Sequence, residues 1–240
     1  MYERRTYRHQ IKDRDLVSFT AVVKETDLYI RAVKDLRVEA VAAIGEVRRP
    51  LERYIREHPI FLHSLEPLQV EKDAPEIVQR MARAAYLAKV GPMAAVAGAV
   101  AEMVGERLLQ SSYEVIVENG GDIFLQISKT RKIGIYAGRS AFTGKLAIEL
   151  EPGQTPLGIC TSSGSVGPSL SLGLADAAVV LAPSAALADA AATAVGNMVR
   201  SAEDIEAALE FGQSISGVTA VVIIAGDRMG ARGDVRLSEI

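Results

Sequence analysis

Residues 177–199 read AAVVLAPSAALADAAATAVGNMV, an apolar run followed by a stretch made almost entirely of small side chains. The run from Ala177 to Leu181 is typical of a strand, and the spacing after it predicts a helix from about Ala185 to Val199. Other predicted strands cluster before and after a helical middle section of the chain. This arrangement favours an α+β fold.

The helix predicted in this stretch carries three polar side chains on one face. Asp189, Thr193 and Asn197 are spaced four residues apart, so they lie above one another. Only small residues separate them, and a carboxylate and a hydroxyl in open surroundings suit a hard cation such as Mg²⁺, held together with substrate phosphate oxygens and water. The alternative is an amphipathic helix with a solvated polar side, although that side holds none of the Lys, Arg or Glu residues that solvated faces favour. On these residues alone both interpretations stay open.

A loop rich in Ser and Gly precedes the strand. Nine of the 13 residues from Thr161 to Gly173 are Ser, Thr or Gly, and hydroxyls with unobstructed amides suit the oxygens of a phosphate or a carboxylate. The alternative is a flexible surface loop, which the apolar strands on both sides argue against. The three histidines all lie more than 95 residues earlier, so nothing indicates a Ser-His-Asp triad. The ligand-binding residues predicted here are Thr161, Ser162, Ser163, Gly164 and Ser165.

A second group of candidate ligand-binding residues ends an earlier strand, and it comprises Asn119, Gly120, Gly121 and Asp122. Paired glycines allow positive φ and bring backbone N–H groups close to a ligand, while the Asn and Asp side chains offer oxygens. The alternative is a tight hairpin turn, because Asn-Gly is its strongest short signal. These residues alone favour the turn.

The remaining pattern predicts one domain over residues 1–240, with mixed or antiparallel sheet strands packed against a central pair of small-residue helices. One helix of this pair is predicted from Ala185 to Val199, and the other from Met93 to Leu109. The latter has a stripe of Ala and Gly that suits close packing on a sheet or, as the alternative, contact with a flat ligand. A long helix from about Leu36 to Glu57 contains Pro50, which should kink or split it. Two further features are expected, an extended segment at Thr6–Ile11 and a turn at Glu25-Thr26-Asp27.

Composition excludes several classes of protein. Lys and Arg number 27 against 30 Asp and Glu, a net charge of −3, so no nucleic-acid partner is expected. The longest apolar stretches, such as Met93 to Ala101, are far shorter than the roughly 20 residues that span a bilayer, and no apolar segment follows the N-terminus. We therefore expect a cytoplasmic protein with a small-molecule partner and no membrane partner. The small-residue helices and scarce aromatics would suit a homodimer.

Three motifs occur in an order that resembles the ApbE superfamily, whose members are FAD:protein FMN transferases. They are Asn119-Gly120-Gly121-Asp122, Cys160-Thr161-Ser162-Ser163-Gly164 and the stretch from Val180 to Thr193. The segments Glu25-Thr26-Asp27-Leu28 and Val90 to Gly98 make the chain more similar to an uncharacterised ApbE-like family of archaea and anaerobic bacteria. The resemblance implies an ApbE-like α+β fold, FAD or FMN as ligand, and Mg²⁺ bound by Asp189 and Thr193.

Two transferase features are absent from the matching positions. The transferases have a Lys at the start of the central helix, where this chain has Gly91-Pro92-Met93-Ala94-Ala95, and a His-x-x-Asp-Pro segment, where it has Ser169–Gly173. We therefore expect a protein that binds a phosphate-bearing small molecule with Mg²⁺, a flavin nucleotide first, with flavin transfer as its enzymatic form. The alternatives are a non-catalytic flavin-binding or assembly module and a factor in anaerobic sulfur assimilation and homocysteine formation. In that last case Cys160 would be the sulfur carrier, and a buried inert thiol is the structural alternative.

Overall fold

A computed structural model of the chain describes residues 13–164 and 173–240. Ser165 and the extended segment expected at Thr6–Ile11 lie outside these residues. The six helices of the described part are α1 (Arg37–Glu57), α2 (Ile60–His63), α3 (Glu76–Ala88), α4 (Val96–Leu108), α5 (Ala185–Met198) and α6 (Ile205–Ser214). The strands are β1 (Val17–Val23), β2 (Thr26–Ala32), β3 (Val115–Asn119), β4 (Asp122–Gln126), β5 (Arg131–Gly134), β6 (Leu146–Leu150), β7 (Leu157–Ser162), β8 (Ala177–Ala182), β9 (Ala220–Ala225), β10 (Arg228–Gly233) and β11 (Arg236–Glu239).

The strands form two antiparallel sheets in the described part of the chain. Eight strands join in the order β1-β2-β3-β4-β7-β8-β9-β10, and a smaller sheet has the order β11-β6-β5. One face of the large sheet packs against the helices, and we call it the helix face; its other face packs against the small sheet. Along β3, for example, Val115 and Val117 contribute to the core under the helices, while Ile116 points to the small sheet. The predicted α+β fold is confirmed.

The two small-residue helices, α4 and α5, contact each other through glycine and alanine. A Cβ atom on Gly98 would lie 2.2 Å from the backbone oxygen of Ala185. One on Gly158, in β7, would lie 2.3 Å from the Cα atom of Ala185. The Gly105 position of α4 similarly lies on the ring of Phe124. The stripe of α4 therefore serves close packing on the sheet and on α5, as the simpler interpretation predicts, and not contact with a flat ligand.

A buried carboxylate holds the start of α5. Glu102 in α4 accepts hydrogen bonds through Oε2 from the Ser184 hydroxyl (2.8 Å) and from the Ala186 backbone N–H (3.1 Å). Its Oε1 atom accepts one from Arg80 of α3 at 3.0 Å. An acid from one helix thereby satisfies a free N–H group in the first turn of another and complements the positive end of its dipole.

Two local expectations differ from the structure. Helix α1 runs unbroken from Arg37 to Glu57 with Pro50 inside it. Its buried apolar side, which includes Val47 and Leu51, keeps both halves packed on the core and offsets the lost hydrogen bond. The turn between β1 and β2 is formed by Lys24 and Glu25 alone, because Val23 pairs with Thr26. The expectation of a turn at Glu25-Thr26-Asp27 was therefore wrong, since Thr26 already begins β2.

The close contact between α4 and α5 generates a prediction about stability. Replacing Gly98 with Ala forces a methyl group against the backbone of Ala185, and we expect the free energy of unfolding to fall by about 1–3 kcal/mol. The matched control is Gly45→Ala in α1, where the nearest atom to a new Cβ is the end of the Arg49 side chain at 3.6 Å. That variant should gain about 0.5–1 kcal/mol, because Ala is the better helix former. Urea unfolding followed by circular dichroism measures both; equal effects would contradict the packing.

Candidate functional site

The predicted site residues of three elements meet at one end of the helix face. Asn119 and Asp122 are paired across the β3–β4 hairpin. The pairing of Ile123 with Ile159 places Asp122 beside Cys160 in β7. Asp189 reaches the same place from α5, because α5 packs along β7 and β8. Residues that are 29 to 70 positions apart in the sequence are thereby brought to one surface.

The Asn119–Asp122 motif forms a two-residue hairpin turn and presents side chains as well. Gly120 and Gly121 have φ values of 70° and 114°, which only glycine adopts easily. The side-chain amide of Asn119 donates a hydrogen bond to the backbone oxygen of Ala97 at 3.1 Å. The hairpin is thus attached to the first turn of α4, with its two polar side chains on the helix face.

Asp189 is half-buried between α4 and the sheet. Its Oδ2 atom accepts a hydrogen bond of 2.8 Å from the backbone N–H of Gly98. Burial raises the pKa of the Asp189 carboxyl well above its usual value, and the negative charge of Asp122 raises it further. We call Asp122 and Asp189 the carboxylate pair. Two acids that disfavour each other's charge in this way are typical of functional sites.

The other polar residues of α5 are half-buried as well. Thr193 lies one helical turn beyond Asp189, and Asn197 one turn further. The structure therefore does not show the fully solvated polar side that was the alternative for this helix. A Cβ atom on Gly196 would lie 3.2 Å from the hydroxyl oxygen of Ser162, so this serine packs directly against α5.

The Ser- and Gly-rich loop contributes unequally to this surface. Strand alternation places Ser162 on the helix face with Cys160, and Thr161 on the opposite face. Ser163 is half-buried, and Gly164 is fixed by a hydrogen bond from its N–H to the oxygen of Ala175 at 2.9 Å. Of the described loop residues, Ser162 and Gly173 both pack directly against α5, since a Cβ atom on Gly173 would lie 1.8 Å from the backbone oxygen of Gly196.

Cys160 is fully buried beside the carboxylate pair. Its thiol donates to the backbone oxygen of Ala185 at 3.3 Å, and desolvation, followed by the charges of Asp122 and Asp189, raises its pKa. A thiol that resists ionisation and has no access to solvent is a poor nucleophile. The structure thus fits the buried inert thiol better than the sulfur carrier.

The chemistry of the donors fits a hard cation. The carboxylate pair and the Thr193 hydroxyl supply oxygen atoms, the ligands that Mg²⁺ prefers. A cation would also offset the negative charge of Asp122, which adds to burial in raising the pKa of Asp189. Within residues 13–164 and 173–240, no three His, Cys, Asp or Glu side chains converge as a metal site, so any metal there depends on hydroxyl, backbone, water or ligand oxygens for its remaining ligands.

Two observations concern the rest of the surface. A broad cleft of about 590 Å³ lies between residues 68–72 and α3, and none of the predicted site residues line it. In the described part of the chain, no single helix has the length and apolar character needed to cross a bilayer. The helical segments Glu76–Ala88 and Pro92–Leu108 reach this length and apolar character only when they are taken together, and the chain bends by 105° between them.

Sequence comparison identifies close relatives across nearly the whole chain. The family model described as AbpE bacteria matches residues 8–237. A UPF0280 protein of Methanocaldococcus jannaschii is 43% identical over 220 residues, which cover 89% of each chain. A UPF0280 protein of Methanocella arvoryzae is 42% identical over 212 residues, covering 88% of this chain and 86% of that one.

Solved structures with a similar fold include a flavinyl transferase. The apo form of the Pseudomonas stutzeri flavinyl transferase ApbE matches 91% of this chain and 94% of its own, with a TM-score of 0.57 and 13% identity. The ApbE protein of Thermotoga maritima matches 91% and 97%, with a TM-score of 0.59 and 14% identity. The fold is therefore that of the ApbE class. Within it, this chain belongs to the AbpE bacteria family, together with the UPF0280 proteins, and the resemblance drawn from its motifs is confirmed.

The raised pKa of Asp189 predicts an unusual gain of stability on substitution. A carboxyl group whose pKa is higher in the folded than in the unfolded state stabilises the fold at a pH below its unfolded-state pKa. This stabilisation is lost as the pH rises through the pKa of the folded state. In metal-free buffer at pH 8, Asp189→Asn should therefore unfold at a higher temperature than the wild type. The difference should shrink towards pH 4, as measured by calorimetry in EDTA.

Asp204→Asn is the control of opposite sign. Asp204 accepts hydrogen bonds from the backbone N–H groups of Arg200 and Ser201, and these lower its pKa. Its contribution is present above its unfolded pKa, so the Asn variant should unfold at a lower temperature than the wild type at pH 8. A loss of stability in both variants would contradict the charge conflict at Asp189.

Proposed function

We propose that this protein binds a phosphate-bearing small molecule, a flavin nucleotide in the first instance, together with Mg²⁺ at the carboxylate pair. The observation that supports this best is the placement of Asp122 and Asp189 together at a half-buried surface where each charge disfavours the other. Such an arrangement lowers the stability of the fold unless a cation offsets it.

The chain's own residues prepare the carboxylate pair for this task. Backbone N–H groups of Gly98 and Ala97 at the start of α4 hold the Asp189 carboxyl in place. Asn119 fixes the β3–β4 hairpin, and with it Asp122, on the first turn of α4. Thr193 and Asp122 supply the further oxygens. When bound, Mg²⁺ would neutralise ligand phosphate charge and polarise a phosphoryl oxygen.

The enzymatic form of the proposal is flavin transfer. The hydroxyl of an acceptor Ser or Thr would attack the phosphorus on the FMN side of FAD, the pyrophosphate P–O bond would break, and AMP would leave as the hydroxyl proton is released. The Pseudomonas stutzeri protein of similar fold is a flavinyl transferase, which supports this form. A non-catalytic flavin-binding module is the second candidate, and the absence of Lys from Gly91–Ala95 favours it.

Calorimetric titration with FAD in the presence and absence of Mg²⁺ tests the binding. We expect Mg²⁺ to tighten the binding and Asp189→Asn to weaken it by about tenfold or more, the effect of losing one charge-assisted contact. Thr193→Val should weaken it as well, while Thr193→Ser, which keeps the hydroxyl, should retain most of it. Asp35→Asn, at an exposed site before α1, is the charge-matched control.

Binding of FAD that is equal with Mg²⁺ and with EDTA, and equal in Asp189→Asn and the wild type, would overturn the metal arrangement. Failure of the wild type to bind FAD or FMN under any of these conditions would overturn the flavin assignment.

AMP release distinguishes the two candidate functions. The transferase predicts AMP when the protein is incubated with FAD, Mg²⁺ and Ser- or Thr-containing acceptor peptides, and no AMP from Asp189→Asn. Chromatography of the nucleotides measures this. Tight binding of FAD without AMP from any acceptor would favour the non-catalytic module.

A further inference from the structure

The Glu25-Thr26 motif belongs to a charged cluster that the proposed function does not yet use. Arg48 of α1 donates hydrogen bonds to the Thr26 hydroxyl, to Glu25 Oε2 at 2.5 Å and to Glu52 Oε1 at 3.0 Å. Lys24 also contacts Glu52 at 2.5 Å. We call these five residues the Arg48 cluster.

The Arg48 cluster lies at the same end of the helix face as the carboxylate pair. Thr26 and Leu28 point to that face from β2, and Leu28 is paired with Asn119 of β3, which is in turn paired with Asp122 of β4. Two strand spacings and a two-residue offset put Thr26 roughly 10–12 Å from Asp122. A dinucleotide can span that separation.

The members of the Arg48 cluster differ sharply in exposure. The Arg48 side chain is 16% exposed and Thr26 is buried, so the guanidinium is held in place. The Glu25 side chain is 82% exposed, and Lys24 is 58% exposed. The two bases and the two acids balance in charge. If the Glu25 carboxylate moves away, Nη2 of the fixed guanidinium keeps its contact with Glu52 at 3.0 Å but loses its second acceptor, and the cluster gains a net positive charge.

We propose that Arg48 binds a phosphate group of the ligand, and that the Glu25 carboxylate occupies this phosphate position when no ligand is present. This inference rests on the proposed function. It assigns to Arg48 the positive charge that the transferases have as a Lys at the start of the central helix and that this chain lacks there. A planar guanidinium held by a buried hydroxyl is preorganised for phosphate oxygens. The exposed Glu25 contact is easily exchanged, because an ion pair so open to solvent adds little stability.

The test measures FAD and riboflavin binding in the presence of Mg²⁺. Arg48→Met should weaken FAD binding by about tenfold or more and leave riboflavin, which has no phosphate, unchanged. Arg48→Lys should retain part of the affinity, because it keeps the charge without the planar fork. Glu25→Gln should tighten FAD binding about threefold, because it removes a competing charge and keeps the shape. Glu39→Gln, an exposed acid in the first turn of α1, is the matched control and should leave FAD binding unchanged.

The outcomes separate this inference from the function on which it rests. If the wild type binds FAD but Glu25→Gln binds it no more tightly than Glu39→Gln, the competing role of Glu25 is overturned. If Arg48→Met and Arg48→Lys bind FAD as the wild type does, the phosphate contact is overturned and the proposed function stands. A wild type that binds neither flavin overturns both. Unfolding curves identify any Arg48 variant that fails to fold, and Glu25→Gln, at an exposed turn, then decides.

Discussion

The contact of Ala185 with Gly98 and Gly158 is the constraint on which the architecture depends. These three residues let α5 lie against both α4 and β7 at backbone distance. A larger side chain at any of them would push the helix away from the sheet. Because α5 lies so close to α4 and β7, Asp189 reaches the N–H of Gly98 and the surroundings of Asp122. The small residues at this contact thus allow a polar site to form inside an apolar layer.

Much of the fold could be predicted from the sequence because its central strands are strongly apolar. Runs such as Ala177–Leu181 and Val218–Ile224 form interior strands of the large sheet, where both faces are covered. Strands β10 and β11 were missed, because they lie at sheet edges and contain charged residues without a clear apolar alternation. The expected split of α1 at Pro50 was wrong for the opposite reason. Local propensity predicted a break there, and tertiary packing overrides it.

The candidate site was harder to predict than the fold, because its residues come from separate segments. Composition and motifs singled out Asp189, Asp122 and Ser162 one by one. That Asp122 lies next to Asp189 depends on β4 pairing with β7, strands that are separated in the chain by β5 and β6 of the small sheet. Arg48 carried no sequence signal at all, because one more arginine on a charged helix resembles a solvated face. Its special status comes only from the buried Thr26 hydroxyl that it contacts.

The acid that links the two central helices has a consequence for how the molecule opens. Glu102 in α4 serves as the missing hydrogen-bond partner for the first turn of α5, and Arg80 ties the same carboxylate to α3. None of these three helices can fray at this junction without exposing a buried charge. They should therefore exchange their amide hydrogens as one cooperative unit, and the helix that carries Asp189 belongs to the most slowly exchanging part of the protein.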